Sequence, residues 1–137
     1  MGSKPERGLG WCEDTACGTD VRMPDSTVWP LEPHTAAKHS ILRRYLQGYY
    51  PKMASAQTRL IFVDGFAGPG QYEGGQPGSP VIALEALTGH SQFQRWSNCV
   101  FSFLFIEEDR SRFELLEATL KARRDPDNVK VYPRWVL

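Results

Sequence analysis

The 137-residue sequence has only three cysteines, an odd number, so no disulfide framework staples it. Cys12 and Cys17 stand in Cys-Glu-Asp-Thr-Ala-Cys with no second pair at zinc-ligand spacing, and they read as free thiols rather than a metal centre. The chain also lacks net charge, with 16 Lys plus Arg against 16 Asp plus Glu, which gives no bulk argument for nucleic acid or membrane. No apolar run approaches the roughly 18 residues of a membrane span. The N-terminus lacks the apolar centre of a signal peptide, so the expected location is the cytoplasm. What remains, 41% hydrophobic and 23% charged residues, suits one globular domain with a modest core.

Residues 1–28 carry Gly2, Gly8, Gly10, Gly18, Pro5 and Pro24 with little periodicity, and are expected to form a flexible arm ahead of a domain over 29–137. Trp29-Pro-Leu-Glu-Pro33 cannot be helical until the prolines are passed. From about Thr35, a plausible cap, the apolar residues Ile41, Leu42, Tyr45, Leu46, Tyr49 and Tyr50 form a helical stripe, and Gly48 with Pro51 marks its end. Stepping back from Leu42 by fours places Lys38 and His34 on the buried-facing side. A lysine there holds an anion at the helix start, pairs with an acid, or snorkels to solvent.

Arg59-Leu-Ile-Phe-Val-Asp64 has the composition of a strand buried on both faces of a parallel sheet. Gly65-Phe-Ala-Gly68-Pro-Gly70 follows at once. Strand ends that enter such loops are where open α/β sheets bind ligands. A phosphate-binding P-loop is excluded, because Gln71 and Tyr72 stand where Lys and Ser/Thr belong. The dinucleotide pattern has Glu73 in its third glycine place. Asp64-x-Phe66-x-Gly68-x-Gly70 fits either a thioether cofactor or a simple glycine turn that closes a βα unit. For such a cofactor the acid accepts from an amino-acid ammonium, directly or through water, and bare backbone lies under the ligand. Residues 71–78 prolong the loop and are placed to cover or shape the pocket, with Tyr72 either lining it or packing on its own scaffold. Ser79-Pro80 reads as the cap and first residue of a helix closed by Gly89.

Val100-Phe-Ser-Phe-Leu-Phe-Ile106 is the strongest strand signal. It ends in Glu107, which is either the acceptor for ribose hydroxyls or an acid that serves only the electrostatics of the following helix start. Asp109 suits a helix cap, because Phe113, Leu116 and Leu120 form a stripe beyond it. Val129-Lys-Val-Tyr132 is a third strand, cut by Pro133. The expected fold is α/β and Rossmann-like: helix, then βαβαβ, a partial parallel three-stranded sheet with flanking helices, lacking the C-terminal half of the fold.

Several blocks together resemble the three-Cys-motif partner proteins (TcmP family) over about residues 28–132. They are Trp29 to His39, Ile41-Leu42, Tyr45-Leu46, Phe62 to Tyr72, Gly78-Ser-Pro80 and Phe105 to Asp109. The resemblance implies a class I methyltransferase fold binding S-adenosylmethionine. It assigns Asp64, Gly65, Phe66, Gly68 and Gly70 to the cofactor loop, Glu107 to the ribose, and His34 and Lys38 to the methionine end. It also implies a three-Cys-motif protein as partner; the cysteines of the name belong to that partner and not to Cys12, Cys17 or Cys99. The His-Thr-x-x-Lys-His block is similar to ribosomal RNA adenine-N6 methyltransferases, which implies a nucleic-acid acceptor. Those enzymes carry an Asp/Asn-Pro-Pro-aromatic segment that this sequence lacks, so no catalytic residue is carried over.

Three functions follow as expectations. The first is the S-adenosylmethionine-binding portion of a methyltransferase, inactive alone. The second is a non-catalytic module holding a partner protein or the cofactor. The third is a fragment of an NAD-dependent α/β enzyme. A sheet without a further strand beside residues 60–64 leaves an apolar edge, so the isolated chain is expected to be marginal or self-associating.

Overall fold

The computed structural model describes residues 27–137. Cys12, Cys17 and the expected arm, apart from its last two residues, lie outside that range. The order is α1 (Pro33–Ala54), β1 (Arg59–Asp64), α2 (Ser79–Thr88), a short 3-10 turn (Phe93–Trp96), β2 (Val100–Glu107), α3 (Arg110–Lys121) and β3 (Val129–Trp135). The three strands form one parallel sheet in the order β1-β2-β3, with Phe62 beside Phe103 and Phe103 beside Val131. The chain is therefore α/β, a three-stranded parallel sheet with flanking helices, an arrangement compatible with part of a Rossmann-like sheet.

Right-handed crossovers carry the chain one way across the sheet, so α2 and α3 fall on the same face. The α1 helix shares that face, where the Tyr50 hydroxyl donates to the Ala83 carbonyl of α2 at 3.0 Å. Alternate residues of β2, Phe101, Phe103 and Phe105, point into this layer and are fully buried beside Leu46, Leu84 and Leu116. Each buried phenylalanine contributes about 1.5–3 kcal/mol. The opposite face is bare, which corrects the expectation that β1 is buried on both sides. Ile61 is 67% and Val63 57% exposed, because no described element packs on that face.

Four local expectations also need correcting. The first helix begins at Pro33, because a proline in the first turn gives up only a donor that has no intrahelical partner anyway. It runs through Gly48 and Pro51 to Ala54. Pro51 cannot donate to the carbonyl of Gln47, and His90 Nε2 lies 3.2 Å from that oxygen as its replacement. At the second helix, Ser79 is already helical and Gly78 is the cap residue. Finally, β3 passes through Pro133 to Trp135, which an edge strand tolerates because one of its sides has no ladder. Asp109 does cap α3, accepting from the Arg112 N–H at 2.8 Å.

Candidate functional site

The carboxyl ends of β1 and β2 meet because the strands are parallel neighbours, with Asp64 beside Phe105. The chain then bends twice through the left-handed region, at Gly68 (φ 67°) and Gly70 (φ 84°). Gly70 must also be small. A Cβ there would lie 3.1 Å from Leu116 Cδ1, so the loop backbone rests directly on α3. Residues 71–78 fold back as a narrow hairpin. Gln71 bridges Pro77, the Tyr72 N–H donates to the Gln76 carbonyl at 2.8 Å, and the Gly78 N–H donates to the Gly70 carbonyl at 2.8 Å.

Between this loop and the end of β2 lies a cavity of about 250 Å³. Of the residues expected at a site, it is lined by Gly65, Phe66, Gly68, Gly70 and Glu107. Among the described residues Glu107 is the buried charged residue, 4% exposed. Its Oε2 accepts from the Gly68 N–H at 2.8 Å, and its Oε1 accepts from the Asp109 N–H at 2.9 Å. Arg112 Nε stands 3.7 Å from Oε1. A carboxylate oxygen can accept more than one bond, so Glu107 retains acceptor capacity toward the cavity. Phe66 is 91% exposed at the loop tip.

Asp64 does not line the cavity. Its Oδ1 accepts from the Phe66 N–H at 3.0 Å and its Oδ2 accepts from the Ser79 hydroxyl at 2.5 Å. It thus ties the loop to the first turn of α2 and acts on the site through the backbone it holds. His34 and Lys38 are exposed and also lie outside the cavity wall, contrary to the helical-stripe reading. The cause is geometric. A row taken every four residues drifts about 40° per step on a 3.6-residue helix, so Leu42 is buried-facing while Lys38 and His34 have rotated away. His39 takes the inward place, its ring centroid 5.5 Å from that of Tyr72. Burial lowers its pKa from the usual value.

The cavity also takes in residues that sequence reasoning did not assign to a site, among them Trp29, Glu108, Arg112 and Val136. The Arg112 guanidinium stacks over the Trp29 ring, 4.8 Å from its centroid. The Trp29 carbonyl accepts from the Glu73 N–H at 2.9 Å, which fastens the segment before α1 to the hairpin. The cavity therefore combines bare backbone, a buried carboxylate, a guanidinium, and aromatic rings from Trp29, Phe66 and Tyr72. Among the described residues no cluster of His, Cys, Asp and Glu is placed to hold a metal, and no helix is long and apolar enough to cross a membrane. Comparison with family models, with curated proteins and with solved structures returned no match.

Proposed function

We propose that the cavity binds S-adenosylmethionine and that the chain is the cofactor-holding portion of a methyltransferase of the class I type, as its resemblance to the TcmP family implies. The observation that carries this reading is the latch between the Gly68 N–H and the buried Glu107 carboxylate. It fixes an acid for the ribose hydroxyls beside glycine backbone able to approach a ligand closely. The bound cofactor supplies an electrophilic methyl on sulfonium. Of this chain's residues, Glu107 accepts from the ribose, the Gly65–Gly70 loop lies against the ligand, and Asp64 holds that loop in shape. A nucleic-acid acceptor is what the separate likeness of the His34-Thr-x-x-Lys38-His39 block to ribosomal RNA adenine-N6 methyltransferases implies. The sequence contains no Asp/Asn-Pro-Pro-aromatic segment, and no residue is assigned to the transfer itself.

The glycine pattern weighs against an NAD-dependent enzyme, since Glu73 stands where the dinucleotide motif has its third glycine. The bare face of the sheet supports the second reading, a module completed by another protein. Calorimetry separates them. S-adenosylmethionine and S-adenosylhomocysteine are expected to bind and NAD not to bind. Binding of NAD alone overturns the proposal. A folded chain that binds none of the three leaves the partner-module reading.

A further inference from the structure

We infer that the Trp29 indole is the surface on which the base of the bound nucleoside stacks, and that Arg112 positions it. The inference rests on the nucleoside reading of the cavity. Trp29 comes from outside the βαβ unit, from the segment before α1, yet it lines the cavity together with Glu107 and Gly70. Its place is fixed from two directions. The Trp29 carbonyl accepts from the Glu73 N–H of the hairpin at 2.9 Å, and Pro30 and Pro33 stiffen the chain that follows. The Arg112 guanidinium lies over the ring, with Cζ 4.8 Å from its centroid. A planar cation stacks on an aromatic face in a way that an ammonium does not reproduce. The indole is half-buried and held before any ligand arrives, so little of its freedom remains to be lost on binding.

Position selects the part of the ligand. Arg112 Nε stands 3.7 Å from Glu107 Oε1, so one guanidinium spans the gap from the acid assigned to the ribose to the indole. In a nucleoside the base is joined directly to that sugar beside a hydroxyl, whereas the amino-acid tail leaves from the far side of the ring. Charge gives the same answer. Arg112 repels an ammonium. The carboxylates of Glu107 and Asp109, the latter 3.5 Å from Arg112 Nε, already offset its charge, so a ligand carboxylate gains little there. An uncharged aromatic base meets neither objection and gains stacking area on the indole. Of the other rings in the wall, Phe66 stands at the loop tip, 91% exposed, and Tyr72 is engaged by His39. Every base has a flat face, so the contact adds affinity without reading base identity.

The test uses the full chain, titrated by calorimetry with S-adenosylhomocysteine and with methylthioadenosine, which keeps base and sugar but has no amino-acid tail. Trp29→Ala is expected to weaken both ligands by the same factor, at least about tenfold, and Trp29→Phe, which keeps a ring, by less than about threefold. In the wild type the stacked base is expected to quench indole emission, and Trp29→Phe to remove most of that quenching. Arg112→Lys keeps the charge but not the plane. It is expected to weaken both ligands and to add nothing further in the Trp29→Ala background. Circular dichroism checks the fold of each variant; should Trp29→Ala unfold, the quenching in Trp29→Phe decides. Retained affinity in Trp29→Ala, a loss confined to S-adenosylhomocysteine, or undiminished quenching in Trp29→Phe overturns the inference and leaves the cofactor proposal standing. Additive losses in the double variant overturn the positioning role of Arg112. A folded wild-type chain that binds neither ligand overturns the cofactor proposal and this inference with it.

Discussion

The Gly68 N–H donates to Glu107 Oε2 across 2.8 Å, joining the loop after β1 to the tip of β2. The bond is charge-assisted and part-buried, and charge assistance makes it the stronger kind. Glu107→Gln keeps the shape but turns one oxygen into an NH₂ group. Either the Gly68 or the Asp109 N–H then faces a donor. The expected loss of folding stability is about 1.5–3 kcal/mol, measured by urea unfolding. S-adenosylhomocysteine affinity is expected to fall at least about tenfold in the same variant. Retention of full affinity would remove Glu107 from the ribose role.

Two glycines with similar φ separate conformational cost from crowding. Gly75 (φ 80°) has nothing within 4 Å of a Cβ position, whereas Gly70 (φ 84°) would place one 3.1 Å from Leu116. Gly75→Ala is expected to cost about 1–2 kcal/mol from the left-handed backbone alone. Gly70→Ala is expected to cost more, since Leu116 is fully buried and has little room to yield. The comparison is a pair of thermal or urea unfolding curves. Equal costs would mean that α3 does not press on the loop.

The parts legible in the sequence were those with a strong local cause. The glycine bend, the β2 run and the Asp109 cap each follow from a few adjacent residues. What escaped was set by tertiary contact. The α1 stripe holds adjacent apolar pairs, Ile41-Leu42, Tyr45-Leu46 and Tyr49-Tyr50, so its phase was open by one residue; packing on α2 buried Leu46 and Tyr50 and left Ile41 and Tyr45 outside. The place of Trp29 over the cavity depends on Arg112, far away in sequence. The 3-10 turn, which buries Phe93 and Trp96, interrupts a stretch that reads as polar loop.

Pro51 and His90 are coupled through one carbonyl, that of Gln47. His90→Ala leaves that oxygen without its side-chain donor and is expected to cost about 0.5–1.5 kcal/mol. Pro51→Ala restores a backbone N–H able to reach Gln47. In that background the histidine substitution should cost measurably less. A double-mutant cycle by urea unfolding gives the coupling directly. Additive costs would show that His90 does not replace the bond that proline removes.

Asp109 makes stability depend on acidity. Its carboxylate accepts from the Arg112 N–H and faces the Arg112 guanidinium, with Nε 3.5 Å away. The backbone hydrogen bond, followed by the guanidinium, holds its pKa below the usual carboxylate value of 3.8. A group whose native pKa is depressed stabilises the fold fully above its unfolded pKa, and that contribution is lost as pH falls through the native one. Asp109→Ala should therefore lower Tm at pH 6. The gap between variant and wild type should narrow as the medium is acidified below the ordinary aspartate range. A gap of constant size down to pH 2 would mean that the cap works through shape rather than charge.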